Sequence, residues 1–363
     1  MLDLEVRTTK LVSMSFHVPV CYFSGLAALA CLGLLKAQDL PLVSWQGRTM
    51  GSPYTVKIVD AKLSDAQVLD LKAEIETLLK ELNRQMSNYQ PESELSRFNQ
   101  AAALVPFKVS PEFTRVTRFA LDLSRLSDGA FDPTLGPLIN LWGFGETSGA
   151  HKVPTEEVRR AVMAKIGWQH LRVTENGELI KDLPGLALDL GAVAKGHGVD
   201  EMIRVLRAHG LRNLYASIAG EVRVIGHNPR AGKWMLGISA PKDQWRENDP
   251  MAASVGLSNQ ALSTSGDYQK FFLDDQGRRL CHIMDARTGV PVQHTLAAVS
   301  VVAPDSMTAD GLSTTLFVLG PEAGMKLIDS RADAAALFIV REKDGSFRQI
   351  ASSKFESLTG YKP

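Results

Sequence analysis

One apolar segment, Ala309 to Leu319, does most to limit how this chain can fold. Leu312, Leu316, Phe317, Val318 and Leu319 give it the character of a helix buried inside a domain, yet it carries Asp310. A carboxylate buried without a partner is costly, so the fold must bring a donor or a cation to it. Thr314 stands four residues further on, which in a helix places its hydroxyl one turn from the carboxylate on the same face. Two oxygens so placed suit a hard divalent cation such as Mg²⁺. The plainer alternative is a capping aspartate after Ser306, with Thr314 bonded back to its own helix.

The rest of the pattern interleaves helices and strands without a strict βαβ rhythm. It predicts an α+β fold with mixed, largely antiparallel sheets and flanking helices. Ser64 and Gln67 form a capping box ahead of an apolar stripe running from Val68 to Leu82. Ser110-Pro111 opens a second helix. Leu186 to Leu190 reads as a short strand turning at Gly191 into a helix that ends before Gly210. Residues 241–255 read as a loop, Ala298 to Val302 as a strand, and Pro321 as the start of a further helix. With 363 residues the chain can bury a large core, and no shift of composition marks a boundary within 38–363.

The first 37 residues stand apart. Leu11 to Leu35 contains no Lys, Arg, Asp or Glu, which reads as a signal peptide or a membrane anchor. Cleavage after Ala37, acylation of Cys31 and retention as an uncleaved anchor all place the remainder outside the cytoplasm, in the periplasm or facing it. Beyond this segment only Cys281 remains, too few for a disulfide or a zinc cluster there. Lys+Arg and Asp+Glu balance at 40 each, which lacks the basic footprint of a general nucleic-acid binder.

The common nucleotide and zinc-hydrolase motifs are absent: there is no G-x-x-x-x-G-K-[ST], no complete G-x-G-x-x-G and no H-E-x-x-H. Other polar clusters stand out instead. Gly129 to Gly145, rich in Gly, Pro and aromatic residues, suits the wall of a pocket for a planar ring or a packed structural loop. Asp189 to Gly196 joins an extended segment to a helix start, where anions are favoured and Lys195 adds positive charge. Thr264 to Tyr268 offers hydroxyls at a tight turn. His282, just before Asp285 and Arg287, is a candidate general base or a structural histidine.

These segments, taken with Met50-Gly51-Ser52, Met86 to Tyr89 and Ser93 to Asn99, resemble in kind and order the ApbE family of FAD:protein FMN transferases. The resemblance runs from Met50 to Gly320. It implies a two-lobed fold with FAD held between the lobes. It also implies a reaction in which a threonine of a target protein attacks the FAD pyrophosphate, taking FMN and releasing AMP. By position, Met50, Ala130, Phe131, Asp132, Asp189, Lys195 and Met284 would touch FAD. Asp310, Thr314 and the carbonyl of Ala192 would hold Mg²⁺, and Asp310 and His282 would carry the chemistry. An FAD pyrophosphatase and a non-catalytic FAD-binding protein are the competing readings. Two departures from the family pattern are Ala219-Gly220-Glu221, where two glycines usually precede the acid, and Asp285-Ala286-Arg287-Thr288-Gly289, which lacks a proline. If the replaced glycine needed positive φ, Ala219 would be strained.

Overall fold

The computed structural model describes residues 39–145, 151–243 and 249–363, and these belong to one unit, Asp39–Pro363. The signal or anchor expected over 1–37 lies outside the described residues. No helix among those described is long and apolar enough to cross a membrane.

An eight-stranded sheet organises the chain. Its strands, in order across the sheet, are Leu42–Thr49, Ser52–Val59, Asn213–Ile218, Glu221–Ile225, Gln260–Gly266, Leu296–Ala303, Ala335–Arg341 and Phe347–Ala351. Every neighbouring pair is antiparallel. The expected antiparallel character holds, and a single bridge, Leu135 with Ala187, is parallel.

Eight α-helices accompany the sheet among the described residues: α1 Asp65–Met86, α2 Glu94–Gln100, α3 Pro111–Leu126, α4 Gly136–Leu141, α5 Glu156–Met163, α6 Ala194–Ala208, α7 Ser306–Ser330 and α8 Phe355–Thr359. All eight residues of Leu296–Ala303 are buried, because both faces of the sheet are covered. On the neighbouring strand the pleat sends Ala336, Phe338 and Val340 into the core that holds Leu312 and Leu316 of α7. Ala335, Leu337 and Ile339 enter the opposite core, against a hairpin formed by Trp234–Ser239 and Met251–Leu257. That hairpin corrects the loop expected over 241–255, whose last five residues are strand.

Local signals explain the helix ends. The Ser64–Gln67 capping box forms as expected, and the Ser110 side chain caps α3 ahead of Pro111. Gly320, at φ 78 and ψ 178, breaks α7, and Pro321 restarts it with a φ already suited to helix. Leu186 to Leu190 departs from expectation. It is extended but pairs only through the Ala187 bridge, its other backbone groups being met by side chains and loops.

Candidate active site

Helices α6 and α7 meet closely because Gly196 has no side chain. A Cβ there would lie 2.3 Å from the Ser306 carbonyl oxygen and 2.8 Å from the Cβ of Asp310. The approach lets the Gly196 N–H donate to Asp310 Oδ2 at 2.9 Å. One turn along α6, Asp200 accepts from the N–H groups of Ser306 and Met307 at 2.8 and 2.9 Å, holding the start of α7 as the Asp305 cap does. Arg223 balances the Asp200 charge at 2.8 Å.

A cavity of about 650 Å³ opens over this junction. Asp310 and Thr314 both line it, as their spacing predicted, together with Ala192 from the α6 approach. Asp310 is 3% exposed, and burial pushes its carboxyl up to about 8. The Lys195 ammonium and the Gly196 N–H pull the other way without cancelling that cost. Lys195 donates to Glu221 Oε1 in a short contact. Burial alone would lower the Lys195 pKa, but the carboxylates of Glu221 and Asp310 outweigh it and keep the ammonium charged. The second Glu221 oxygen, Oε2, is buried and accepts no hydrogen bond among the described residues. Beside Thr314, its hydroxyl lies 3.1 Å from that of Ser265, which in turn lies 2.9 Å from that of Ser313.

The opposite wall comes from the loops. Phe131, Asp132, Asp189, Met284 and His282 line the cavity, and so does Met50 from the turn between the first two strands. Ala130 does not: it is completely buried in the core behind the wall, as its neighbour Phe131 turns outward. Asp132 lines the cavity with both of its oxygens already bonded within the protein. Its Oδ1 accepts from the backbone and hydroxyl of Thr134 at 2.7 and 2.6 Å, and its Oδ2 from the Trp168 N–H at 2.8 Å. Both oxygens thus fasten the loop. Asp189 accepts from the Gly191 N–H at 2.7 Å, and its own N–H donates to the Pro133 carbonyl, tying the two loops together.

His282 is half-buried at the rim. Its Nδ1 lies 3.3 Å from the Lys270 carbonyl, which assigns the proton to Nδ1 and leaves Nε2 with a free lone pair. Burial, reinforced by the charge of Lys270, pulls its pKa down to about 4, so the ring is neutral at pH 7. Cys281 next to it is buried and pushed up to about 11, which leaves it without thiolate character.

Glu221, Ser265 and Asn99 are among the cavity residues that the sequence reading did not name as site residues. Each lay inside a recognised motif. Only the tertiary structure shows that Glu221 faces Lys195 and that Ser265 faces Thr314. A further acidic and histidine cluster, Glu112, His197 and Glu201, sits on α3 and α6 away from the cavity lining. Arg115 lies within it, 2.7 Å from each glutamate and 3.2 Å from His197 Nδ1. Arg115 and Arg204, the latter 2.6 Å from Glu201, already balance the two glutamates, and the cluster works as a strap between the two helices.

The fold is shared with flavin transferases of solved structure. The chain superposes on the flavin transferase ApbE from Vibrio cholerae with a TM-score of 0.80 at 38% identity, covering 88% of this chain and 99% of that one. The apo flavinyl transferase ApbE from Pseudomonas stutzeri gives the same TM-score and identity over 90% and 99%. Residues 50–338 match the ApbE family, and the chain belongs to it. Among curated relatives, the FAD:protein FMN transferase of Haemophilus influenzae is 37% identical over 342 residues, 93% of this chain and 97% of that protein. The Vibrio cholerae protein of the same name is 40% identical over 334 residues, 91% and 97% respectively.

Proposed function

We propose that this chain transfers FMN from FAD to a threonine hydroxyl of a target protein and releases AMP. Family membership carries the reaction class. The single structural observation that carries the mechanism is the convergence of Asp310, Thr314, Ala192, Lys195 and His282 on one cavity.

The donor set fits a hard divalent cation. A carboxylate, a hydroxyl and a backbone carbonyl are all oxygen ligands, and Asp310 needs positive charge nearby to ionise at neutral pH. Asp310, Thr314 and the Ala192 carbonyl would hold Mg²⁺, which when bound supplies charge neutralisation for the phosphoryl oxygens. Lys195, kept protonated by its two acidic neighbours, contributes a fixed positive charge at the same place. Phe131 offers an apolar surface for a flat ring at the cavity wall.

The acceptor hydroxyl is a weak nucleophile and gains from a base in reach. His282 Nε2 would take its proton as the threonine oxygen bonds to the FMN phosphorus and the bond to the AMP oxygen breaks. The Lys270 carbonyl holds the imidazole in the tautomer that leaves Nε2 able to accept. Export through the charge-free stretch 11–35, or attachment by it to the membrane with the site facing the periplasm, belongs to the same proposal.

The test uses the full chain with FAD, Mg²⁺ and an acceptor domain bearing an exposed threonine. Acceptor mass and AMP release are followed with and without EDTA. A gain of one FMN mass that EDTA abolishes is expected. AMP and free FMN with an unmodified acceptor would overturn the transferase reading in favour of hydrolysis. FAD binding without AMP would overturn both.

A further inference from the structure

Lys181 is among the largest fully buried side chains, at 1% exposure, and no carboxylate among the described residues pairs with it. Its ammonium instead donates to three backbone carbonyls: Phe98 at 3.1 Å, Asn99 at 2.8 Å and Leu186 at 3.0 Å. It also sits 5.2 Å from the centre of the Phe98 ring, within cation–π range. A buried charge without a counter-ion persists only where its donors are met, and here all three N–H groups are. Burial still lowers the Lys181 pKa.

The carbonyls have different origins. Phe98 and Asn99 stand at the C-terminal end of α2, where the Phe98 carbonyl already accepts from the Ala101 N–H at 3.1 Å and the dipole favours a cation. Leu186 opens the extended segment that leads to α6. The same two pieces of chain are joined again by Asn99, whose side chain donates to the Leu188 carbonyl at 2.9 Å and accepts from the Leu188 N–H at 2.7 Å. Segment 186–192 has one bridge and no strand ladder, so these ties and the Asp189–Pro133 bond set its position. Asp189, Gly191 and Ala192, on that segment, line the cavity.

We propose that Lys181 is a positioning residue for the flavin site: a built-in cation that locks α2 to segment 186–192 and so sets where Asp189 and the Ala192 carbonyl face the cavity. The inference rests on the flavin-transferase reading, and it adds a buried residue outside the cavity lining to the machinery. Removing the ammonium takes this donor from all three converging carbonyls, leaving Phe98 with only the Ala101 N–H at 3.1 Å, a site that a free ammonium ion can refill.

The experiment measures FAD binding by flavin fluorescence in the full chain, for wild type, Lys181→Ala and Lys181→Met, with thermal melting as the check of folding. Both variants should fold and bind FAD about fivefold or more weakly, the order expected when a charged hydrogen-bond donor is lost at one remove from the ligand. Ammonium chloride should restore Lys181→Ala toward wild type, whereas sodium chloride of equal ionic strength should not. Neither salt should distinguish itself on wild type, and Lys181→Met, whose stem fills the space, should respond less. A smaller loss of affinity, or a loss indifferent to ammonium, would overturn the proposal. So would variants with no folded form, which would assign Lys181 to stability alone. Wild type that fails to bind FAD would instead overturn the flavin reading and is seen before any variant is compared.

Discussion

Asp132 and Asp310 are two buried carboxylates on the walls of one cavity, and the protein treats them oppositely. Burial raises the pKa of both. Asp132 receives three hydrogen bonds, from Thr134 twice and from Trp168, so its oxygens are fully engaged in holding a loop. Asp310 receives one, from Gly196, and faces a lysine that Glu221 shares. A carboxylate with every oxygen engaged is a structural clamp. One that is buried, lightly bonded and set beside a hydroxyl one helical turn away keeps capacity for a ligand. Chemical type and burial are therefore poor guides to role here, and the count of internal donors separates the two.

The largest expected effect comes from removing the open carboxylate. Asp310→Asn should lower FMN transfer by about a thousandfold, the scale of losing a centre of transition-state charge stabilisation, and leave the melting temperature unchanged or higher. Acceptor mass spectrometry and thermal melting read the two effects separately. A melting temperature that falls with activity would erase the contrast with Asp132.

His282→Asn should cost roughly a hundredfold or more in transfer, as expected for a lost general base, with FAD binding kept. The pH profile gives the sign. The His282 pKa is depressed to about 4, so its neutral form is present above that pH and disappears only as pH falls through it. Transfer should thus show no loss of the base between pH 7 and 5. A limb near the ordinary histidine value, about 6.5, that His282→Asn removes would contradict the depressed pKa, and one that persists in His282→Asn would exclude His282 from that role.

Asp132→Ala should lower stability by about 1–3 kcal/mol, since it leaves the buried Thr134 and Trp168 donors unmet. Denaturant titration measures this, and a variant as stable as wild type would show that the clamp does not hold the loop. The smallest effect concerns the turn that presents Glu221 to Lys195. Ala219 adopts φ 53, a left-handed conformation that favours glycine, so the family's usual glycine has a steric reason. Ala219→Gly should stabilise by roughly 1 kcal/mol. Loss of stability in the same titration would show that the alanine side chain contributes packing that outweighs its strain.

Much of this molecule was legible because its signals are local. The Ser64–Gln67 capping box, the Ser110-Pro111 start and the stop and restart at Gly320-Pro321 each concern residues within a turn of one another. The Asp310–Thr314 pair was legible for the same reason. Met251–Leu257 was not: Met-Ala-Ala-Ser-Val-Gly-Leu is mostly small residues with weak strand preference, and it becomes a strand by pairing with Trp234–Ser239 over a core. Leu186 to Leu190 erred in the other direction. Its apolar alternation suits a strand, but Asn99, distant in sequence, and the Lys181 side chain, five residues before Leu186, take bonds a ladder would have made. The loop bonds of Asp132 were hidden in part, because one of the three comes from Trp168, which no spacing rule connects to it.

The role of Asp310 as the open carboxylate is tested most directly by a calorimetric titration of Mg²⁺ into the full chain, compared with Asp310→Asn and Asp132→Asn. Wild type should bind, Asp132→Asn should retain binding, and Asp310→Asn should lose it. Equal binding by Asp310→Asn, or loss from Asp132→Asn in a folded protein, would contradict that role.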